Sequence, residues 1–143
     1  MHYIGIMPRK LTHVALHVRD IEASLAFYRD YCGLHVAHER ATGKDGARVV
    51  WMAAPGQDRR FVIVLLPGGH GREQPPQDFS HIGIAVDSLA EVEAIAARAE
   101  REGRLAWPVK SEPWPVGTYC GVYDPDGAVV EFSFGQPLGE TAG

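Results

Sequence analysis

Apolar and polar side chains alternate along residues 11–18, Leu-Thr-His-Val-Ala-Leu-His-Val, and this period of two predicts a β-strand. Aliphatic side chains form one face of the strand, while His13 and His17 lie on the other face. The two histidines are also four residues apart, as two metal ligands on a helix would be. The β-branched residues and the helix cap expected at Asp20 favour the strand. The first strand is therefore expected to present two histidines opposite its apolar side.

A helix and three further strands are expected after this first strand. Apolar residues at helical spacing follow Asp20 as far as Cys32, and Gly33 suits the positive φ that ends a helix, so residues 21–32 are predicted as an amphipathic helix. Turn-forming residues then separate three short runs rich in β-branched and aromatic side chains. The predicted strands are Leu34 to Glu39, Arg48 to Ala53, and Phe61 to Leu66. The order of elements in this unit is therefore βαβββ.

The chain then repeats the same unit. Ser80–Val86 aligns with Thr12–Val18, histidine on histidine, and a second amphipathic helix is expected from about Leu89 to Glu102. A connector rich in proline and glycine separates the two units. The predicted boundaries within a single domain of residues 1–143 are about 11–66 for the first module, 67–78 for the connector and 79–134 for the second module. The fold class is predicted as α+β, with two βαβββ modules.

The last predicted strand places a carboxylate in an unusual position. Residues 124–127, Asp-Pro-Asp-Gly, predict a turn, because proline presets φ and glycine accepts a positive φ. In the strand that follows, Val130 and Phe132 point to the core, so Glu131 points to the opposite face. A carboxylate in an enclosed place is neutralised by a proton or by a cation. We therefore expect Glu131 to face a cation.

The internal repeat pairs Glu131 with Val64, and so predicts one equivalent position in each of four strands. These positions are His13, Val64, His81 and Glu131. Three of the four residues are types that bind transition metals. A histidine taken alone is more often a core residue with a hydrogen-bond partner. The recurrence of histidine at equivalent strand positions, together with Glu131, favours a metal site instead.

Composition narrows the classes of function. The net charge is −4, from 14 basic and 18 acidic residues that are interspersed, so no surface for nucleic acid or for an anionic membrane is expected. No apolar stretch has membrane-spanning length, and the N-terminal residues lack the pattern of a signal peptide. Cys32 and Cys120 are expected to be buried thiols of a reducing compartment rather than a disulfide. The sequence therefore predicts a cytoplasmic protein that acts on a small molecule.

These features together resemble the vicinal oxygen chelate superfamily. The resemblance rests on the two βαβββ units, the two strand-opening histidines, the sequence SLAFYRDYCGL after the first and the sequence DPDGAVVEF near the end. The superfamily includes glyoxalase I, extradiol dioxygenases, methylmalonyl-CoA epimerase, fosfomycin-modifying enzymes and bleomycin-binding proteins. The resemblance covers about residues 11–134. It implies a mixed sheet that curls around a cup, where adjacent oxygens of a small substrate chelate one divalent metal ion.

The resemblance also implies a set of metal ligands. The superfamily's ligand positions fall on His13, His81 and Glu131, with Fe, Mn, Ni or Zn as the metal. Glyoxalases and the epimerase resemble a four-ligand pattern, with Glu or Gln where this chain has Val64. Two histidines and one carboxylate are the ligand types of non-haem iron oxygenases and of the manganese-dependent fosfomycin enzymes. A lyase or isomerase, a ring-cleaving dioxygenase and a transferase therefore all remain open.

Further residues are expected to act on the substrate or to line its pocket. The dioxygenase and fosfomycin groups typically carry a tyrosine ten residues before the glutamate, where this chain has Gly121. Tyr119, on the same strand face, is expected to supply that phenol, while Gly121 and Val64 border the pocket and Gly121 leaves room for substrate. His17 is a candidate general base. Trp114, in a loop flanked by prolines, is the preferred pocket residue among the three tryptophans.

A homodimer is expected, because small members of the superfamily usually dimerise, and the metal ligands then come from one chain or from both. The competing interpretation is a metal-free protein that binds a small molecule or a drug, as the bleomycin-resistance proteins do. Those proteins generally lack the metal ligands. The presence of all three ligand residues in this sequence favours the enzyme.

Overall fold

A computed structural model describes residues 8–43 and 45–138 of the chain. Residues 1–7, Lys44 and residues 139–143 of the predicted single domain lie outside the described residues. The elements, in chain order, are β1 (His13–Val18), α1 (Ile21–Asp30), β2 (His35–Ala41), β3 (Arg48–Ala53), β4 (Val62–Pro67), β5 (His81–Ala85), α2 (Leu89–Arg101), β6 (Leu105–Glu112), β7 (Gly117–Tyr123) and β8 (Val129–Phe134). The predicted α+β class and the two βαβββ modules are confirmed.

Each module forms its own four-stranded mixed sheet. The first sheet has the strand order β1-β4-β3-β2, and the second has the equivalent order β5-β8-β7-β6. In each sheet the first and last strands of the module, β1 with β4 and β5 with β8, pair in parallel, and the other pairs are antiparallel. The strand that opens each module, with its histidine, therefore lies beside the strand that closes it.

Helix α1 begins where the sequence predicts and ends two residues earlier than predicted. The Asp20 side chain accepts hydrogen bonds from the backbone N–H groups of Glu22 and Ala23, so it is the expected N-cap. Gly33 has φ 69°, and the N–H of Leu34 donates to the carbonyl of Tyr28 at 3.0 Å. This bond closes the helix end, because it satisfies a carbonyl that has no partner within the helix.

Strands β1, β2 and β4 also differ from the prediction, by one or two residues at their ends: β1 starts two residues later than predicted, and β2 and β4 are shifted at both ends. Strand β3 has the predicted bounds, whereas β2 starts after Leu34 and β4 starts after Phe61. The N–H of Leu34 donates to the carbonyl of Tyr28 at the end of α1. The N–H of Phe61 donates to the carbonyl of Gln57 within a turn. Each of these N–H groups is already used by the preceding local structure, so the sheet ladder begins one residue later.

One apolar cluster packs both sheets and both helices together. Its members come from both modules and include Leu16, Tyr28, Leu65, Val92 and Phe132. The strands β1 and β5 contribute the faces opposite to their histidines to this cluster. The two histidine-bearing faces therefore both point away from the core that the modules share.

A buried polar contact joins the modules within this core. The hydroxyl of Tyr28 donates to Oδ2 of Asp124 at 2.7 Å, and Oδ1 of Asp124 accepts from the backbone N–H groups of Asp126 and Ala128 at 2.9 Å each. Burial raises the pKa of Asp124 and also that of Tyr28. The Asp-Pro-Asp-Gly turn is thus held by its first aspartate, which also binds the first helix.

The connector between the modules is bound to the second sheet through one side chain. Oε1 of Gln74 accepts from the N–H of Val129 at 3.3 Å, and Nε2 of Gln74 donates to the carbonyls of Asp78 and Ser80 at 2.7 Å each. Gln74 therefore contacts the first residue of β8 and the residue just before β5. Neither helix in the described part of the chain has the length and apolarity needed to cross a membrane.

Candidate metal centre

Glu131 lies in the middle of β8, between two glycines on the neighbouring strands. Its partners in the sheet are Gly83 of β5 and Gly121 of β7. Only 6% of Glu131 is exposed, although its face is the one opposite to the apolar core. Since glycine has no side chain, the two neighbours leave the carboxylate as the main group on this part of the face.

His81 contacts this carboxylate from the neighbouring strand β5. Nε2 of His81 lies 3.3 Å from Oε2 of Glu131, and Nδ1 lies 2.6 Å from the carbonyl oxygen of Phe79. A carbonyl oxygen only accepts, so Nδ1 carries a proton and Nε2 is the nitrogen left to bind a proton or a metal ion. A lone pair on Nε2 and a carboxylate oxygen at this distance repel each other unless a proton or a cation lies between them. A divalent cation bound by both atoms fits this arrangement, and a carbonyl partner on the second ring nitrogen is typical of metal-binding histidines.

Gln136 contacts the other oxygen of the carboxylate. Its Nε2 donates to Oε1 of Glu131 at 3.1 Å. The two oxygens of Glu131 thus have different surroundings, because Oε1 accepts from a neutral amide and Oε2 faces His81. Gln136 was not among the residues predicted for the site. It lies beyond the end of β8, where no strand periodicity indicates its direction, so the sequence carried no signal for it.

An indole occupies the space above Gly121. A Cβ atom on Gly121 would lie 2.6 Å from Cδ2 of Trp107, so the room that the sequence suggested for substrate at this glycine is filled by the Trp107 ring. The ring also makes edge-to-face contacts with His81, at 5.3 Å between centroids, and with Tyr119, at 6.4 Å. Trp114, the tryptophan preferred from the sequence, is 80% exposed in the turn between β6 and β7. In the described chain, Trp107 is therefore the tryptophan beside the carboxylate.

Tyr119 lies on β7 with its side chain on the same face as Glu131. It pairs with Ser133, two residues along β8 from the carboxylate. Its hydroxyl donates to Oε2 of Glu112 at 3.2 Å. Burial, followed by the bond to Glu112, raises the pKa of Tyr119, so the phenol keeps its proton at neutral pH. Tyr123 is farther along the same face, opposite Val129 and next to the turn.

The strand register confirms the predicted alignment of the two modules at Val64. Val64 pairs with Ala15 of β1 and with Trp51 of β3, just as Glu131 pairs with a residue of β5 and a residue of β7. Val64 therefore lies on the histidine-bearing face of the first sheet, at the position equivalent to Glu131. It is 6% exposed and does not belong to the helix-facing apolar cluster.

His13 lies on the first sheet and does not join His81 and Glu131 within one chain. It is exposed, and Nδ1 of its ring is 2.8 Å from Oγ1 of Thr12. Within residues 8–43 and 45–138, no three side chains of His, Cys, Asp or Glu are close enough together to hold a metal ion. His17 is also exposed, on the same face as His13. One chain thus brings together two of the three predicted ligands.

Sequence comparison identifies relatives along almost the whole chain. The family model described as Glyoxalase/Bleomycin resistance protein/Dioxygenase superfamily matches residues 10–132. The uncharacterized protein PA2024 of Pseudomonas aeruginosa is 53% identical over 133 residues, which are 93% of this chain and 94% of the relative. Lactoylglutathione lyase of Haemophilus influenzae is 26% identical over 125 residues, which are 86% of this chain and 90% of the relative.

Solved structures of low sequence identity share the fold. The fosfomycin resistance protein FosX of Listeria monocytogenes has a TM-score of 0.68 and 20% identity, over 91% of this chain and 96% of that chain. A FosX mutant has also been solved in a complex with Mn(II). Trypanothione-dependent glyoxalase I of Leishmania major has a TM-score of 0.62 and 22% identity, over 89% of this chain and 87% of that chain.

Proposed function

This chain belongs to the glyoxalase, bleomycin resistance protein and dioxygenase superfamily, and on that premise we propose that it is a divalent-metal-dependent enzyme. Its substrate is a small molecule that chelates the metal through two adjacent oxygens. The observation that carries the proposal is the buried Glu131 carboxylate with Nε2 of His81 at 3.3 Å. A carboxylate and an imidazole nitrogen that face each other in this way form two thirds of a site for Fe, Mn, Ni or Zn.

We propose that the third ligand comes from a second copy of the chain. His13 and His81 occupy equivalent positions on faces that both point away from the shared core, so one chain cannot bring the two faces together without unpacking that core. A homodimer in which the first sheet of one subunit faces the second sheet of the other brings His13 of the partner subunit to His81 and Glu131. His17, the candidate base, shares the face of His13 and would enter the site from the same subunit.

The residues of the second sheet have separate roles in this proposal. A divalent metal ion at the site would supply Lewis-acid chemistry to the chelating oxygens. Tyr119 keeps its proton at neutral pH, and its hydroxyl would exchange the bond to Glu112 for a hydrogen bond to a substrate oxygen that gains negative charge in the reaction. Trp107 packs over the backbone of Gly121 and shields the carboxylate from water on that side.

The reaction class remains between a lyase or isomerase and a ring-cleaving dioxygenase. A lyase is favoured by the relative of Haemophilus influenzae, which is a lactoylglutathione lyase. Val64, at the position of the fourth ligand in the glyoxalase pattern, favours a three-ligand site instead. We propose a cytoplasmic location, in keeping with two cysteines that are both free thiols.

Complementation between two variants that each bind metal weakly tests the shared site. His13→Ala and Glu131→Gln homodimers should each bind Mn²⁺ at least about 100-fold more weakly than the wild type, more than the loss of an outer hydrogen-bond partner costs. The two variants are then co-expressed with different tags. The mixed dimer contains one site with all three ligands and one site that lacks both His13 and Glu131. We expect the purified mixed dimer to bind one Mn²⁺ per dimer with wild-type affinity.

Other outcomes contradict distinct parts of the proposal. No recovery in the mixed dimer would contradict a site shared between subunits. Wild-type affinity for Mn²⁺ in Glu131→Gln would contradict the metal site itself and favour the metal-free binding protein. The reaction class is then tested with the metal found in protein purified without chelator. Turnover of methylglyoxal with a thiol supports the lyase, and oxygen-dependent turnover of catechols supports the dioxygenase.

A further inference from the structure

The carboxylate proposed as a metal ligand is contacted by a side chain from beyond its own strand. Gln136 is five residues after Glu131, and its amide reaches Oε1 at 3.1 Å. A continued strand would place residue 136 roughly 16 Å along the chain and on the opposite face of the sheet. The chain must therefore turn back after β8 to bring this amide to the carboxylate.

Two glycines permit this turn. Gly135 has φ 93°, which side-chain-bearing residues rarely adopt, and it directly precedes Gln136. Gly117, at the start of β7, packs against the same segment, and a Cβ atom there would lie 2.5 Å from the carbonyl oxygen of Phe134 and 3.1 Å from the carbonyl carbon of Gly135. The path of residues 134–136 thus depends on backbone conformation and close backbone packing, in addition to the amide contact itself.

We propose that Gln136 is a positioning residue that holds Oε1 of Glu131 and so directs Oε2, together with Nε2 of His81, toward the metal ion. A free carboxylate offers both oxygens to a divalent ion and rotates between the two modes of binding. One neutral donor on Oε1 removes that choice without cancelling the negative charge that attracts the ion. Hydrogen bonds to ligating carboxylates are known to tune metal sites in this way. This inference rests on the proposed function, since it assigns a role toward the same metal ion.

The test compares Gln136→Met with Gln77→Met in the metal-free homodimer. Methionine has nearly the length and shape of glutamine but donates no hydrogen bond, and Gln77 is an exposed residue of the connector. Titration with Mn²⁺, with the free ion measured by electron paramagnetic resonance, should show binding about 10- to 100-fold weaker in Gln136→Met and unchanged in Gln77→Met. Gln136→Asn, whose amide is one methylene shorter, should weaken binding in the same direction.

Two further measurements separate a positioning role from a structural one. At the same Mn²⁺ concentration, the metal should raise the urea midpoint of Gln136→Met by less than it raises that of Gln77→Met, whereas a role limited to stability would leave the two increases equal. The visible spectrum of the Co²⁺-loaded Gln136→Met protein should differ from that of the wild type, because Glu131 then binds through both oxygens.

The outcomes distinguish this inference from the proposed function. If Glu131→Gln weakens Mn²⁺ binding while Gln136→Met binds within about twofold of the wild type, well below the expected loss, the positioning role is overturned and the proposed function stands. If wild type and Glu131→Gln bind Mn²⁺ equally, the proposed function is overturned and the role of Gln136 with it.

Discussion

The two modules have the same strand order and register, yet within the described residues the second sheet alone has a carboxylate at the central position of its outward face. At the equivalent positions, Val64 lies between Ala15 and Trp51, whereas Glu131 lies between two glycines. The repeat thus preserves the backbone and changes the side chains at the centre of each sheet. The first module has an apolar residue at its central position and carries two histidines on the same face. The second module has a negative charge there, which can attract a cation.

The tryptophan rings beside the two central positions come from different strands. In the first sheet, Trp51 itself stands beside Val64 on the adjacent strand. In the second sheet, the adjacent strand has Gly121, and Trp107 from one strand farther away covers it. Both central positions therefore have a neighbouring tryptophan, supplied from different strands. A glycine in one strand and a tryptophan in the next strand can together place an indole ring beside the central position. A comparison of single sequence positions does not reveal such a pair.

Val64→Glu gives both modules a carboxylate at the central position, and we expect it to have the largest effect on the free energy of unfolding. The new carboxylate is buried without a partner in the metal-free protein, so the free energy of unfolding should fall by about 3–5 kcal/mol. Addition of Ni²⁺ or Zn²⁺ should restore much of this loss, because the variant reproduces the four-ligand pattern of glyoxalases. Urea unfolding with and without metal measures both changes. Val64→Ala is the control, and an equal response of the two variants to Ni²⁺ would contradict the equivalence of Val64 and Glu131.

Tyr119→Phe tests a second difference between the modules, since the first has no phenol at the corresponding position of β3. With the substrate identified by the activity assays, kcat and kcat/KM should both fall by roughly 10²-fold, the cost of losing one donor to a developing negative charge. Tyr123→Phe, on the same strand face but at its end, should keep nearly full activity. A larger loss of activity in Tyr123→Phe than in Tyr119→Phe would mean that Tyr123, and not Tyr119, is the donor.

Two glycine substitutions sharpen the comparison within the second sheet. Gly121→Ala places a methyl group 2.6 Å from the Trp107 ring, so it should lower the free energy of unfolding by about 1–3 kcal/mol and shift the tryptophan fluorescence. Gly83→Ala, on the other side of Glu131, meets no atom within 4 Å and should leave stability unchanged or raise it by up to about 1 kcal/mol. Equal effects of the two substitutions would mean that Trp107 is not fixed over Gly121 in solution.

The smallest expected effect is the pH dependence contributed by Asp124, which only the second module has at its last turn. Burial raises its pKa above the ordinary value of 3.8. A raised pKa means that this group contributes stability that is full below 3.8 and is lost as the pH rises through the folded-state value. Asp124→Asn removes this contribution. The unfolding free energy of the wild type minus that of the variant should therefore fall as the pH is raised from acid to neutral, and a difference that grows with pH would contradict the raised pKa.

The sequence predicted the fold more completely than the site because the fold depends on repeated patterns. Alternation and the recurring histidine gave both modules, and the alignment of Val64 with Glu131 agrees with the strand register. Errors were limited to ends, as at Leu34, where hydrogen bonds of the preceding element compete with the sheet. These competitions depend on which partner is closer in space, and a one-dimensional pattern does not contain that information.

The residues around Glu131 were less predictable because they come from separate elements. His81 was found through its repeat, but Gln136 reaches the carboxylate only after a turn beyond β8. Trp107 lies in a strand whose pairing with β7 has register shifts on both sides of it, so counting residues does not give its direction. In the proposed homodimer, the position of His13 relative to His81 and Glu131 depends on how two subunits pack, and the pattern of one sequence does not specify that packing.

The contacts of Gln74 limit where this protein can be modified by insertion. A surface connector is ordinarily a good place for a tag or an inserted domain, since doubling the length of a loop costs only about 0.6 kcal/mol. Here, one amide connects the backbone just before the strand of His81 with the first residue of the strand of Glu131. Extra residues between Gln74 and Ser80 would alter that span and so the relative alignment of the two side chains. The exposed turn at Gly56, on the first module, is a better place to attach a label.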